Sequence, residues 1–246
     1  MWRYKAIVEY IGTNFVGWQR QQNGISIQQV LEDTVSLFTK QKVNIFASGR
    51  TDAGVHALGQ VLHFDLGCFY EPSKLMNSIN HFLRPHAITL LNCELTDFEF
   101  HARFSSKARH YKYKIVNRVA PLVIDKDRAW LVRQPLDTAK MEEATQYLIG
   151  KHDFTSFRAT ACQSNSPVKT LDKIKIISNY NDEIQIWFLA QSFLHHMVRN
   201  IVGTLVEVGI NKRLPIDVKR ILAARNRTVA GPLAPAAGLY FVKVDY

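Results

Sequence analysis

Cysteine is scarce in this chain: Cys68, Cys93 and Cys162 stand far apart with no C-x-x-C spacing. An odd count cannot close a complete disulfide framework, so the sequence predicts a reducing, cytoplasmic setting and no structural zinc. Long apolar runs are missing as well. Nothing approaches the roughly 20 consecutive apolar residues of a membrane helix, and the opening Met1-Trp2-Arg3-Tyr4-Lys5 contains no apolar segment of signal-peptide length. The expectation is a protein that is neither secreted nor membrane-spanning. Acidic residues are in deficit, 21 against 31 Lys and Arg, for a formal charge of +10. That excess points to a polyanionic partner such as nucleic acid, although a generically basic protein has the same composition.

Several catalytic signatures are absent too. There is no G-x-G-x-x-G and no G-x-S-x-G, and no acidic cluster offers a magnesium or two-metal site. Gly12-Thr13-Asn14-Phe15-Val16-Gly17 is followed by Trp18-Gln19 rather than Lys-Ser/Thr, so it is not a phosphate-cradling loop. The expected chemistry therefore uses no cofactor and no metal.

What is present is a globular pattern, with 246 residues of which 47% are apolar, enough for one large or two small domains. The run Tyr4 to Tyr10 reads as a strand, followed by a polar loop with two aromatic side chains, Phe15 and Trp18, a loop that is a candidate for touching a ligand. Ile27, Val30, Leu31, Thr34, Val35 and Phe38 follow helical spacing, with Ser26 and Gln29 as a capping box. Strands are expected at 43–47, 61–66, 87–95 and 107–117, and helices at 72–82 and 137–148, the latter stopped by Gly150. A hairpin over 168–192 turns through Asn179-Tyr180-Asn181-Asp182. A long helix over 194–208 and a strand over 239–244 close the chain. Strand and helix groups recur in each half. The predicted fold is α+β, with halves 1–105 and 106–246, mainly antiparallel sheets that join, helices on the outer face and a cleft between the halves.

The stretch Ser48-Gly49-Arg50-Thr51-Asp52-Ala53-Gly54-Val55-His56-Ala57 sets one carboxylate beside an arginine between two strand-like runs. Glycines at 49 and 54 let the backbone bend sharply, and an ionised carboxylate can act as a nucleophile. An aspartate accepting backbone hydrogen bonds in a turn has the same signature. From His101 to Arg118 there are six Lys and Arg and no acid. On a strand, alternation puts Arg109, Tyr111 and Tyr113 on one face and His110, Lys112 and Lys114 on the other. Such interleaving suits phosphate contact and base stacking, and equally an ordinary solvated strand. Along the helix from Leu194, His195, Arg199 and Gly203 flank the apolar stripe. A sheltered Arg199 calls for an anion: a structural carboxylate, Asp52 or an RNA phosphate. Adjacent His195 and His196 diverge on a helix and read as packing or capping groups.

Taken together, Gly17-Trp18-Gln19-Arg20-Gln21, the stretch around Asp52, Phe100-His101-Ala102-Arg103-Phe104, Arg109-His110-Tyr111-Lys112-Tyr113, Asp153-Phe154-Thr155-Ser156-Phe157-Arg158 and His195-His196-Met197-Val198-Arg199-Asn200-Ile201-Val202-Gly203 resemble the tRNA pseudouridine synthase A family, nearly end to end and in order. The resemblance implies isomerisation of uridine to pseudouridine at positions 38 to 40 in the anticodon stem-loop of tRNA, by a homodimer without metal or cofactor. It implies that Asp52 is the nucleophile, that Tyr111 holds the flipped-out base, that Arg199 orients Asp52, and that Arg50 and Arg109 handle the RNA. Two rival readings use the same residues differently: a non-catalytic RNA binder with Asp52 as a turn residue, and an aspartate-based hydrolase, which the charge and the lack of a partner acid weaken.

Overall fold

The computed structural model describes residues 1–178 and 182–246, so the expected hairpin turn at 179–181 lies outside the described residues. The chain divides into two units, one of Met1–Lys107 with Tyr240–Tyr246 and one of Ala108–Leu239. Both are α+β.

In the first unit the strands are β1 (Trp2–Tyr10), β2 (Phe46–Ala47), β3 (His56–Leu66), β4 (Ile88–Thr96) and β10 (Leu239–Asp245), with helices α1 (Ile27–Thr39) and α2 (Pro72–Leu83). The sheet order is β4-β1-β3-β10 with β2 on β3. β1 is antiparallel to both neighbours, whereas β10 joins β3 in parallel, Tyr240 opposite His56. Alternation decides the faces: Tyr4, Ala6, Val8 and Tyr10 are buried and their neighbours are not. The Ser26 hydroxyl caps α1 by accepting from the Gln29 amide at 3.2 Å. The strand expected over 43–47 shrinks to Phe46–Ala47. Groups on α1 capture the backbone donors before it, since Ile45 N–H donates to the Glu32 carboxylate at 3.1 Å and Val43 N–H to the Ser36 hydroxyl at 3.3 Å. The neighbouring strand begins at His56, five residues earlier than periodicity suggests.

The second unit contains β5 (Ala108–Asn117), β6 (Trp130–Val132), β7 (Gly150–Asp153), β8 (Val168–Ser178) and β9 (Glu183–Ala190), with α3 (Thr138–Thr145), α4 (Met197–Gly209) and α5 (Asp217–Ala224). β5-β9-β8-β7 form an antiparallel run, and the short β6 lies parallel to β5. The expected helix over 137–148 is α-helical only to Thr145. It then tightens into i→i−3 bonds up to Leu148, and Gly150 follows with φ +104°. β6, β7 and α5 carry no strong period in the sequence and were not anticipated.

The long helix expected from Leu194 starts at Met197, because His196 adopts a left-handed backbone (φ 63°) that no α-helix continues. His195 and His196 therefore sit in the preceding turn, their rings 3.9 Å apart, and His196 gives the helix no side-chain cap. Almost every residue of α4 is buried. Gly203 is what permits this: a Cβ there would fall 1.7 Å from the Pro232 carbonyl oxygen.

Candidate active site

In the first unit the loop between β2 and β3 carries Asp52. The Ser48 N–H donates to the Val61 carbonyl at 2.8 Å, and the Ser48 hydroxyl binds the buried Gln60 side chain. Gln60 in turn donates from Nε2 to the Gly49 carbonyl at 2.7 Å. Thr51 is gripped from both ends: its hydroxyl pairs with the Tyr10 hydroxyl at 2.8 Å, and its carbonyl accepts from the Trp18 N–H at 3.0 Å. Past the aspartate, Val55 N–H closes a turn onto the Asp52 carbonyl at 3.1 Å, and Gly54 takes φ +78°. Burial pushes the Tyr10 phenol well above its ordinary pKa, so it is neutral and able to donate at any physiological pH.

The polar loop after β1 is the floor of this arrangement. A Cβ on Gly12 would lie 2.0 Å from the Val55 carbonyl oxygen, and one on Gly17, whose φ is +109°, 2.8 Å from that of Thr51. The Gly12 N–H also donates to Nδ1 of buried His56 at 3.1 Å, which fixes the His56 tautomer with its proton on Nε2. Its ring stacks on Tyr240 at 4.8 Å. The two aromatic side chains of the loop, Phe15 and Trp18, are buried and belong to this floor. Asp52 is left half-buried between buried Thr51 and exposed Ala53, and Arg50 is exposed.

The second unit carries Arg109, Tyr111 and Arg199. On β5, Tyr111, Tyr113 and Ile115 share the covered face, but the two tyrosines differ. Tyr113 is wholly buried, donates its hydroxyl to the Pro235 carbonyl at 2.7 Å and fills the space that Gly238 leaves open. It is a structural group. Tyr111, at 9% exposure, meets Phe193 edge to face at 5.0 Å. Arg109 donates from its guanidinium to the Gln191 carbonyl. The start of β5 thus lies against the chain leading into α4. On α4, half-buried Arg199 donates from Nε to the Ala234 carbonyl at 2.7 Å, and Ala234 N–H returns a bond to the Arg199 carbonyl at 3.3 Å. That pairing ties the guanidinium to the chain that follows α5.

Sequence reading missed Tyr10, Thr51 and Gln60, the groups that hold the Asp52 loop. The only trace was the glycine spacing at 12 and 17, since a hydroxyl on a strand has no signature of its own.

Residues 6–105 and 144–246 match the family described as tRNA pseudouridine synthase. The chain is 56% identical to "tRNA pseudouridine synthase A" of Orientia tsutsugamushi (strain Ikeda), over the whole of both chains. It is 57% identical to the protein of that name in Ehrlichia canis (strain Jake), over 99% of this chain and all of the relative.

Proposed function

From the premise that this chain belongs to the tRNA pseudouridine synthase family, and is thus an isomerase acting on uridine in tRNA, we propose that its targets are positions 38, 39 and 40 of the anticodon stem-loop and that Asp52 is the nucleophile. The single observation that carries the proposal is the half-buried Asp52 on a loop whose neighbours are fixed from beneath by Tyr10, Trp18 and Gln60. A residue needed only to turn the chain does not require so many buried partners.

Uridine must be detached at N1, turned and rejoined through C5. The reaction needs a carboxylate to open it, a surface to hold the freed uracil and the exclusion of water. Attack at C6, attack at C1′ and removal of the C2′ proton all start from a carboxylate in the position assigned to Asp52. A stacked base hides these atoms, so the target nucleotide is flipped out. Tyr111 then supplies the surface for the base, and Arg199 orients Asp52. Arg50 and Arg109 engage the RNA backbone, as their permanent charge suits. The working form is a cytoplasmic homodimer.

The test is position-resolved pseudouridine detection on unmodified tRNA, with wild type and Asp52→Asn and no added cofactor. Wild type forms pseudouridine at 38 to 40, and Asp52→Asn loses at least about 10³ in turnover while still binding tRNA. A fully active Asp52→Asn, or no product despite tRNA binding, defeats the reading and leaves Asp52 as a turn residue on an RNA binder.

A further inference from the structure

The antiparallel register of the second unit places Lys112, Trp187 and Lys175 side by side in one row across β5, β9 and β8, and His110, Leu189 and Lys173 in the next. These positions alternate with Tyr111, Tyr113, Ile174, Ile176, Ile186 and Phe188, all buried. The two rows therefore occupy the other face of the sheet, where Lys173 and Lys175 are exposed. No acid stands in either row. Asp172 is the bulged residue between the paired Leu171 and Lys173, and Glu183 is engaged by Lys114 at 2.8 Å.

The tryptophan is held in place rather than merely tolerated. Lys114 grips Glu183, Glu183 accepts from Gln185 at 2.5 Å, and the Gln185 side-chain oxygen accepts from the Trp187 indole N–H at 2.9 Å. The relay fixes the ring before any partner arrives, and the Lys112 ammonium lies 5.7 Å from its centre. Partial burial lowers the Lys112 pKa, a cost that an approaching phosphate relieves.

We propose that this face, centred on Trp187 with Lys112, Lys173 and Lys175 around it, is a second RNA-contact surface that holds a stretch of the tRNA away from the target uridine, an aromatic platform for an unpaired base framed by phosphate contacts. It rests on the reading of the chain as a tRNA-modifying enzyme and adds a surface to it. Cationic side chains around an oriented aromatic on an open sheet suit single-stranded or loop nucleotides, because every base has a face to stack and every nucleotide a phosphate to neutralise.

Binding is measured by titrating fluorescent tRNA into Asp52→Asn protein across a salt series, alone and combined with Trp187→Ala or with Lys173→Ala plus Lys175→Ala. Lys219→Ala, an exposed lysine on α5, is the control. The lysine pair is expected to lower the slope of log K against log salt by about 2. Trp187→Ala is expected to weaken binding about tenfold at an unchanged slope. Thermal melts confirm folding, and Trp187→Phe, which keeps a stacking face, recovers most of the affinity. Slopes and affinities equal to those of the Lys219→Ala control overturn the proposal. So does a change in sedimentation with tRNA binding intact, which assigns the face to a contact between two copies of the chain. Pseudouridine formation by wild type is read separately, so failure of this surface leaves the enzymatic reading standing.

Discussion

In the first unit the candidate residue rides on a loop, and in the second it rides on a helix. Asp52 is placed by what lies under its neighbours: a phenol, an amide side chain and two glycines that let one loop press on another. Arg199 is placed by a helix buried almost all round, in which Gly203 has no room for a Cβ against Pro232. A loop supported by discrete hydrogen bonds loses aim before it loses stability, since each bond is worth about 1 kcal/mol. A helix supported by close packing loses both together, because a packed interior has no room to yield.

That difference is open to direct challenge. Gly203→Ala is expected to have the largest effect, since the new Cβ meets a backbone carbonyl and not a flexible side chain. A loss above about 3 kcal/mol is expected in urea unfolding, with turnover lost in parallel. A variant of wild-type stability removes the packing argument. Gly17→Ala comes next. Its φ of +109° and the 2.8 Å approach to Thr51 predict about 2 kcal/mol of strain and a fall in kcat well beyond what the unfolded fraction explains, with tRNA affinity retained. If stability and kcat fall in proportion, the loop is no different in kind from the helix.

The smallest effect concerns pH and the first unit alone. Burial, with His101 and then Arg3 nearby, lowers the pKa of His63 to about 4, and its Nδ1 accepts from the Ala102 N–H at 3.2 Å. A neutral histidine in the folded state against an ordinary one in the unfolded state leaves stability untouched above pH 6.5. Below that value the unfolded chain takes up the proton first, and stability falls until about pH 4. At pH 6 the loss is under about 1 kcal/mol. Hydrogen exchange across this range should show opening around β3 ahead of α4. Simultaneous opening, or an unchanged pH dependence in His63→Gln, removes His63 from the account.

Much of the fold was legible because period and punctuation agreed. β1, α1, α2, β5, β8 and β9 all fall close to their expected ranges, and Ser26 caps α1 as its spacing with Gln29 implied. Errors arose where a tertiary partner decided. The run over 43–47 has strand composition, yet α1 side chains take its donors. Leu194 to His196 continue the apolar spacing of α4, yet His196 turns left-handed. The two tyrosines of β5 are equivalent in the sequence, and only Pro235 and Gly238 make one of them a structural group. That Phe15 and Trp18 are buried was not legible, because aromatic rings in a polar loop have no local sign of the core they fill.

The chain by itself determined the alternation that sorts each strand's faces, the basic excess, and the glycine-punctuated stretch around Asp52. These are local properties, written in spacing of two or 3.6 residues or in a contiguous run. Which groups hold the Asp52 loop, which tyrosine is bound into the core and which lysines meet around Trp187 were decided only by the tertiary structure. Each depends on residues far apart in the chain being brought within about 3 to 6 Å, and no spacing along the sequence records that distance.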